Sequence, residues 1–235
     1  MADKRAFLAG LAAGAIGGLV VGQRMATRSR QMPFLDIGRQ VLAENRSEVK
    51  VALLAARAQA RYDELYAHRP RFHHPALRWH LEKGALPTLA LYQTLREEND
   101  DQEAILAELD RIVAAIVERS GRRRWVQFIG RQPNPLAVLR IANRWAMKWV
   151  YPPEGWRFEW VEESEQCVAY DARECFYLNV LTAYGAPELT AHLCVVDDLL
   201  FGDLPGVFWG RTRMLSRGDD RCNFRFCRIA ATDGS

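Results

Sequence analysis

Trp156-Arg157-Phe158-Glu159-Trp160, with Gln166-Cys167-Val168-Ala169-Tyr170 close behind it, is where the hydrophobic period of this chain changes. In the first run aromatic residues alternate with charged ones, the two-residue repeat of a strand with one buried face. The second run is predicted to return as its hairpin partner across a polar stretch of three glutamates and a serine. Pro152-Pro153 marks the border, and upstream of it the apolar repeat is helical.

Working back from that border, Asp36 is expected to N-cap a long helix running to about His68, its apolar stripe formed by Ile37, Val41, Leu42, Val49, Leu53, Leu54, Tyr62 and Leu65. Further helical patterns cover Pro75–Lys83, Leu86–Arg96, Asp101–Arg119 and Pro135–Trp149, with prolines at starts and breaks. Forward of the border, two short helices are predicted over Ala172–Tyr184 and Pro187–Phe201. A second hairpin follows over Val207–Ser216 and Arg221–Ile229, turning at Arg217-Gly218-Asp219-Asp220. The sum is an α+β domain: helices first, then a small antiparallel sheet of two hairpins with an inserted helical pair.

At the other end, Ala6 to Gly22 is a run of seventeen uncharged, mostly apolar residues between Lys4-Arg5 and Arg24, Arg28 and Arg30. It would cover about 25 Å as a helix, short for a bilayer core but workable if the flanking cations snorkel. Gly10, Gly14, Gly18 and Gly22 recur every fourth residue, which opens a groove for a second helix to approach closely. We therefore expect a retained N-terminal transmembrane helix rather than a cleaved signal peptide or a glycine-rich leader. The partition this gives is 1–30 for the anchor, 31–70 for a linker and juxtamembrane helix, and 71–235 for the α+β domain. Cations flank the run on both sides with a slight bias to the C-terminal side, which points to a single-pass protein of the cytoplasmic membrane with its bulk on the cytoplasmic side.

The chain has 235 residues, 49% of them hydrophobic, and a net charge of +3 that hides an uneven distribution. From Arg119 to Val150 there are eight basic residues and no acid, whereas Glu154 to Asp220 holds thirteen acids against five arginines. Arg140, Arg144 and Lys148 form a stripe at helical spacing with Trp145 and Trp149 beside it, a pattern suited to a membrane surface or to a plain solvated face. No helix-turn-helix spacing or aromatic strand platform accompanies the charge, so nucleic acid is not expected as a partner. His73, His74 and His80 lack metal-ligand spacing and read as surface or cap residues; neither a metal nor another cofactor is expected. The five cysteines, Cys167, Cys175, Cys194, Cys222 and Cys227, are odd in number and form no C-x-x-C pair, which favours free thiols.

Chemistry concentrates between Cys175 and Cys227. Cys194, Asp197 and Asp198 fall at i, i+3 and i+4, so one helix face presents a thiol beside carboxylates, while His192 lies about 200° away from Cys194. In the last strand Cys222, Phe224 and Phe226 share one face and Asn223, Arg225 and Cys227 the other. A nucleophilic thiol needs a nearby cation, and Arg211 or Arg213 is positioned by sequence to supply one; core packing is the competing reading for each thiol.

These residues carry a resemblance. Cys175, then Tyr184-Gly185-Ala186-Pro187-Glu188-Leu189-Thr190, then Leu193-Cys194 and Asp197, look like the L-2-amino-thiazoline-4-carboxylic acid hydrolase family. So does the ending Phe208, Arg211-Thr212, Gly218-Asp219, Cys222, Phe224 and Phe226, which is similar to that family's closing hairpin. The resemblance implies hydrolytic opening of a small sulfur-containing ring. The family's architecture is distantly similar to 4-vinyl reductase-like domains, an association with pigment metabolism.

Two functional expectations follow. In the first, the protein is an accessory or scaffold subunit of an integral-membrane complex, such as a photosynthetic one: the glycine-faced helix docks on a transmembrane helix of another subunit, with the bilayer and a lipid or pigment as further partners. In the second, it is a membrane-tethered hydrolase of a small thiazoline or cyclic amide, with Cys194 or Cys222 as nucleophile, Asp197 as general acid or base, and Cys175 and Arg211 in the same site.

Overall fold

A computed structural model describes residues 31–229 of the chain. The expected anchor, with Gly10, Gly14, Gly18 and Gly22, lies outside the described residues, and among those described no helix is long and apolar enough to cross a membrane. A boundary falls between Met32 and Pro33, and everything below concerns the chain from Pro33 on.

The helical part opens with α1 (Leu35–Leu42), α2 (Glu48–Ala67) and α3 (Pro75–His80), followed by a π-turn (Leu81–Ala85) and α4 (Leu86–Arg96). It continues with α5 (Gln102–Arg119), α6 (Arg122–Gly130) and α7 (Pro135–Trp149). The long helix expected from Asp36 to His68 is two helices. Ser47 breaks it by taking extended backbone and capping α2, its hydroxyl accepting from Lys50 N. Asp36 lies in the first turn of α1 rather than at its cap. Asp101 and Asn134 cap α5 and α7 in the same way as Ser47, accepting from Ala104 N and Ala137 N at 3.1 Å each. Helix α6 carries no such cap: it starts after Gly121 in the left-handed region and places Arg122, Arg123 and Arg124 against the positive end of its own dipole, so nothing local announced it.

Four strands follow the helices, β1 (Trp156–Glu163), β2 (Cys167–Cys175), β3 (Val207–Gly210) and β4 (Cys222–Arg228). Between β2 and β3 lie α8 (Phe176–Ala183) and α9 (Leu189–Phe201). The strands form one antiparallel sheet in the order β1-β2-β4-β3. The two expected hairpins are thus joined edge to edge through β2 and β4. Ala172–Cys175, expected to be helical, extends β2 instead because Ala172 pairs with Phe158 on one side and Cys222 on the other. The expected strand after Val207 is short, ending at Gly210, and Leu215–Arg217 is a turn of 3₁₀ helix.

Register puts one apolar face of the sheet against the helices. Phe158 and Trp160, Val168 and Tyr170, Phe224 and Phe226, and Trp209 lie side by side across the four strands, because Trp160 opposes Tyr170, Tyr170 opposes Phe224, and Phe226 opposes Trp209. Val168 and Phe226 are fully buried, packed with Leu136, Leu139, Leu204 and Val207. A second core lies among the helices, where Leu54, Ala58, Leu86, Leu89 and Ala90 are fully buried.

The same register corrects the cysteine reading. Cys167 and Cys227 oppose each other across β2 and β4 and are joined by a disulfide, leaving Cys175, Cys194 and Cys222 as free thiols. They were separable by sequence only into faces; which strand lies beside β2 decides the pairing.

Candidate active site

Helix α9 lies over the aromatic sheet face and brings Asp197, Asp198 and Cys194 to the end of β3. Arg211, just past that strand, reaches back to all three. It donates from Nη1 to Asp197 Oδ2 at 2.9 Å, and from Nη2 to Asp198 Oδ2 at 2.7 Å and to the Cys194 carbonyl at 2.9 Å. Its side chain is 1% exposed, with Trp209 and Phe224 flanking the guanidinium at 5.8 and 5.7 Å. Burial alone would weaken the arginine's charge, but Asp197 and Asp198 outweigh that and hold it protonated. Trp209 Nε1 also donates to Asp198 Oδ1 at 3.0 Å, fixing the second carboxylate.

The loop that carries Arg211 is held by Asn223. Its Oδ1 accepts from the backbone N–H groups of Thr212 and Arg213 at 2.9 and 2.6 Å, and its Nδ2 donates to Thr212 Oγ1 at 2.9 Å. Arg213 turns the other way and pairs with Asp220 at 3.1 Å, so of the two candidate cations only Arg211 enters the site.

Asp197 is closely surrounded by protein yet keeps 31% of its side chain in solvent, the condition of a recess rather than of a sealed core. Burial pushes its carboxyl up to about 6; Arg211 opposes that shift and Asp198 adds to it. The three free thiols surround this group. Burial pushes Cys175 up to about 11, and it raises Cys194 and Cys222 as well, with Asp197 adding to each and Arg211 opposing it at Cys194 and Cys222. Cys222 also accepts from Leu215 N at 3.2 Å. At neutral pH the site therefore holds an ionised, exchangeable carboxylate among protonated thiols.

The wall beyond Asp197 is aromatic. Tyr151 and Tyr170 are both pushed up by burial, Tyr151 to about 12, and the Asp197 charge adds to each shift. Tyr170 donates to Asn143 Oδ1 of α7 at 3.2 Å and stacks on Phe224 at 4.9 Å. Tyr177, in the first turn of α8, points at the π-turn. Pro87 has no N–H to give Lys83, and Leu86 donates instead to the Leu81 carbonyl five residues back, which widens the helix there. Gly84 in that turn admits the tyrosine: a Cβ on it would come within 2.8 Å of the Tyr177 hydroxyl.

His80, read from sequence as a surface or cap residue, is 3% exposed. Its Nε2 lies 2.8 Å from the Val150 carbonyl, which can only accept, so Nε2 carries the proton and Nδ1 accepts from the Tyr177 hydroxyl at 2.7 Å. Burial lowers its pKa to about 4, against the Val150 hydrogen bond, which raises it. His74 does act as a cap, its Nδ1 accepting from Ala76 N at 3.2 Å. Among the described residues no cluster of histidine, cysteine and carboxylate could hold a metal ion.

A family model described as L-2-amino-thiazoline-4-carboxylic acid hydrolase matches residues 78–226. The chain belongs to that family. Searches of curated proteins and of solved structures find no match. The matched span begins beside His80 and ends at Phe226, and so encloses the whole site of this hydrolase-family chain together with helices α4 to α7, while α1 and α2 lie ahead of it.

The fold of this family member thus brings Cys175, Cys194, Asp197, Arg211 and Cys222 together. It places His192 apart from them, with Nδ1 2.5 Å from Asp110 Oδ1 of α5. The basic stripe lies elsewhere, on α7. There Arg144 is held by Glu163 through two bonds of 2.8 and 2.6 Å, Trp145 is half-buried, and Lys148 sits 5.0 Å over the Trp149 ring. Arg140 is half-buried and Trp149 exposed, and among the described residues Arg140 and Lys148 have no carboxylate partner. A separate surface hollow lined by Arg61, Glu64, Leu65, His68, Gln93 and Tyr184 lies on the helical side, and its arginine is committed to Glu97.

Proposed function

We propose that this protein hydrolyses a small cyclic amidine of the 2-aminothiazoline type, with Asp197 as general base. The observation that carries the reading is a solvent-reachable carboxylate with its pKa brought to about 6 beside a fully covered arginine. A base poised just below neutral pH is ionised when it is needed and still accepts a proton from water in the transition state. Arg211, with both Nη atoms engaged, orients Asp197 and offsets its repulsion by the neighbouring Asp198.

In this scheme a water bound to Asp197 loses a proton to the carboxylate as its oxygen attacks the ring carbon between nitrogen and sulfur, and the carbon–nitrogen π electrons move to the nitrogen. The Asp197 proton passes to that nitrogen; Asp197 then takes the hydroxyl proton as the tetrahedral centre collapses to a carbonyl and one ring bond to that carbon breaks, and it returns this second proton to the departing nitrogen or sulfur. One water is added overall, and the product is a ring-opened thiocarbamate with a free amine or a urea with a free thiol. The protonated thiols Cys175, Cys194 and Cys222 line the site without attacking, because the thiolate is the nucleophilic form and burial disfavours it.

The test is steady-state turnover of 2-aminothiazoline-4-carboxylate by the full chain and by Asp197→Asn. We expect kcat/KM of the parent to fall on acidification through about pH 6, and the variant to lose about 10²- to 10⁴-fold in kcat while remaining folded. A variant with undiminished turnover would remove Asp197 from the mechanism.

A membrane-associated role is a second reading that one observation favours. Trp125 and Phe128 on α6, and Ile141 and Trp149 on α7, are exposed large apolar side chains close in sequence to Arg124, Arg140 and Lys148. Such a mixture suits a headgroup surface or a neighbouring subunit near a cytoplasmic-side anchor. In this reading the chain is a tethered enzyme or an accessory subunit of a membrane complex, and sedimentation with anionic vesicles tests it.

A further inference from the structure

Arg122 takes no part in the Asp197–Arg211 pair, and it has no ion-pair partner among the described residues. Its neighbour Arg123 is bound to Asp203. Arg122 opens α6 with an exposed side chain whose guanidinium carbon lies 5.9 Å from the centre of the Trp79 ring. Trp79 meets His80 edge-on at 5.1 Å; His80 in turn accepts the Tyr177 hydroxyl and stacks on Tyr151 at 5.3 Å. A cation without an ion-pair partner among the described residues therefore stands beside the aromatic wall.

The electrostatics give this arrangement a direction. The Arg122 charge lowers the proton affinity of His80, Tyr151 and Tyr177. Asp197 raises that of the same two tyrosines. Tyr151 and Tyr177 thus feel both a cation and a carboxylate. Arg211 cannot receive an anionic substrate group, because it is covered and bonded to two aspartates and a carbonyl. An anionic group placed there would also meet Asp197 and Asp198.

We infer that Arg122 binds the carboxylate of the substrate, with the ring laid against Tyr151 and Tyr177 and its amidine carbon toward Asp197. The site then takes a dipolar molecule, anionic at one end and basic at the other, and Arg122 is a specificity residue rather than a catalytic one. A guanidinium matches a carboxylate with two parallel hydrogen bonds, and the Trp79 ring beneath it restricts its rotation. The inference rests on the hydrolase reading above.

The experiment compares the full chain with Arg122→Gln and Arg122→Lys on two substrates, 2-aminothiazoline-4-carboxylate and 2-amino-2-thiazoline, which lacks the carboxylate. Arg122→Gln is expected to raise KM for the first about 10- to 100-fold with kcat changed by less than about threefold, and to leave the second unaffected. Arg122→Lys is expected to recover part of the loss. Equal effects on both substrates, or none on either, overturn the inference. If the parent turns over neither compound, the hydrolase reading fails and binding decides Arg122 separately. Carboxylate-dependent quenching of tryptophan fluorescence that is lost in Arg122→Gln sustains the assignment, and quenching that is unchanged or absent ends it.

Discussion

The Tyr177 hydroxyl donates a hydrogen bond to Nδ1 of His80 across 2.7 Å, and the two residues are 97 apart in sequence. This bond joins α8 to the end of α3, beside the π-turn, and so ties the helical part of the chain to the elements that carry the thiols and Asp197. It also fixes the imidazole as a neutral ring, because the other nitrogen donates to Val150.

That buried neutral histidine sets an acid limit on stability. Its folded pKa of about 4 lies below the unfolded value of 6.5, so the unfolded chain binds more protons between those pH values. Stability from His80 is fully present above pH 6.5 and is lost as the pH falls toward 4, by up to about 3 kcal/mol. Asp197 works in the opposite sense: its folded pKa of about 6 exceeds the unfolded 3.8, so its contribution is present below 3.8 and lost as pH rises through 6. The two slopes oppose each other in the parent. Removing one in Asp197→Asn is expected to raise stability at neutral pH and to expose a steeper loss on acidification. Urea midpoints between pH 4 and 7 measure it, and a variant profile that parallels the parent would contradict the assignment.

The three free thiols are expected to be slow. With Cys175 held near 11, against a usual value of 9, its thiolate fraction at neutral pH falls about a hundredfold. Iodoacetamide should label native protein far more slowly than unfolded protein, and single Cys→Ser variants at Cys175, Cys194 and Cys222 should keep turnover within about threefold. If one of them abolished turnover in a folded protein, the nucleophile would be that thiol and not water.

Reduction of the Cys167–Cys227 bond frees a chain segment with a sequence separation of 60. Closing a loop of that size is worth roughly 2–4 kcal/mol through the unfolded state. A reducing agent should therefore lower the thermal midpoint of the parent and have no effect on Cys167→Ser/Cys227→Ser, whose midpoint should already be low. Equal midpoints with and without reductant in the parent would show that the bond contributes nothing.

Much of the local structure could be read from residue order alone. The alternation Trp156-Arg157-Phe158-Glu159-Trp160 specified a strand and its buried face, the helical repeats of Asp101–Arg119 and Pro135–Trp149 specified two helices to within a residue of their ends, and the spacing of Cys194, Asp197 and Asp198 put three groups on one side of α9. Each of these depends on neighbours within a few residues, where period and capping chemistry act. The family resemblance was legible for the same reason, since its motif lies in contiguous runs.

What the tertiary structure alone decided are the relationships across long separations. Cys167 faces Cys227 only because β2 and β4 are adjacent, a pairing that no hairpin rule supplies. His80 sits in a helix whose sequence would suit a surface; the rings of Tyr151, Trp156 and Tyr177, brought from far along the chain, exclude water from it and strip its charge. Asp197 could be nominated from spacing, but its raised pKa comes from burial under the packed helices and sheet, opposed by an arginine from another element. Periodicity fixes which face a side chain takes; desolvation and charge pairing depend on what the rest of the chain places opposite that face, and only the folded arrangement determines that.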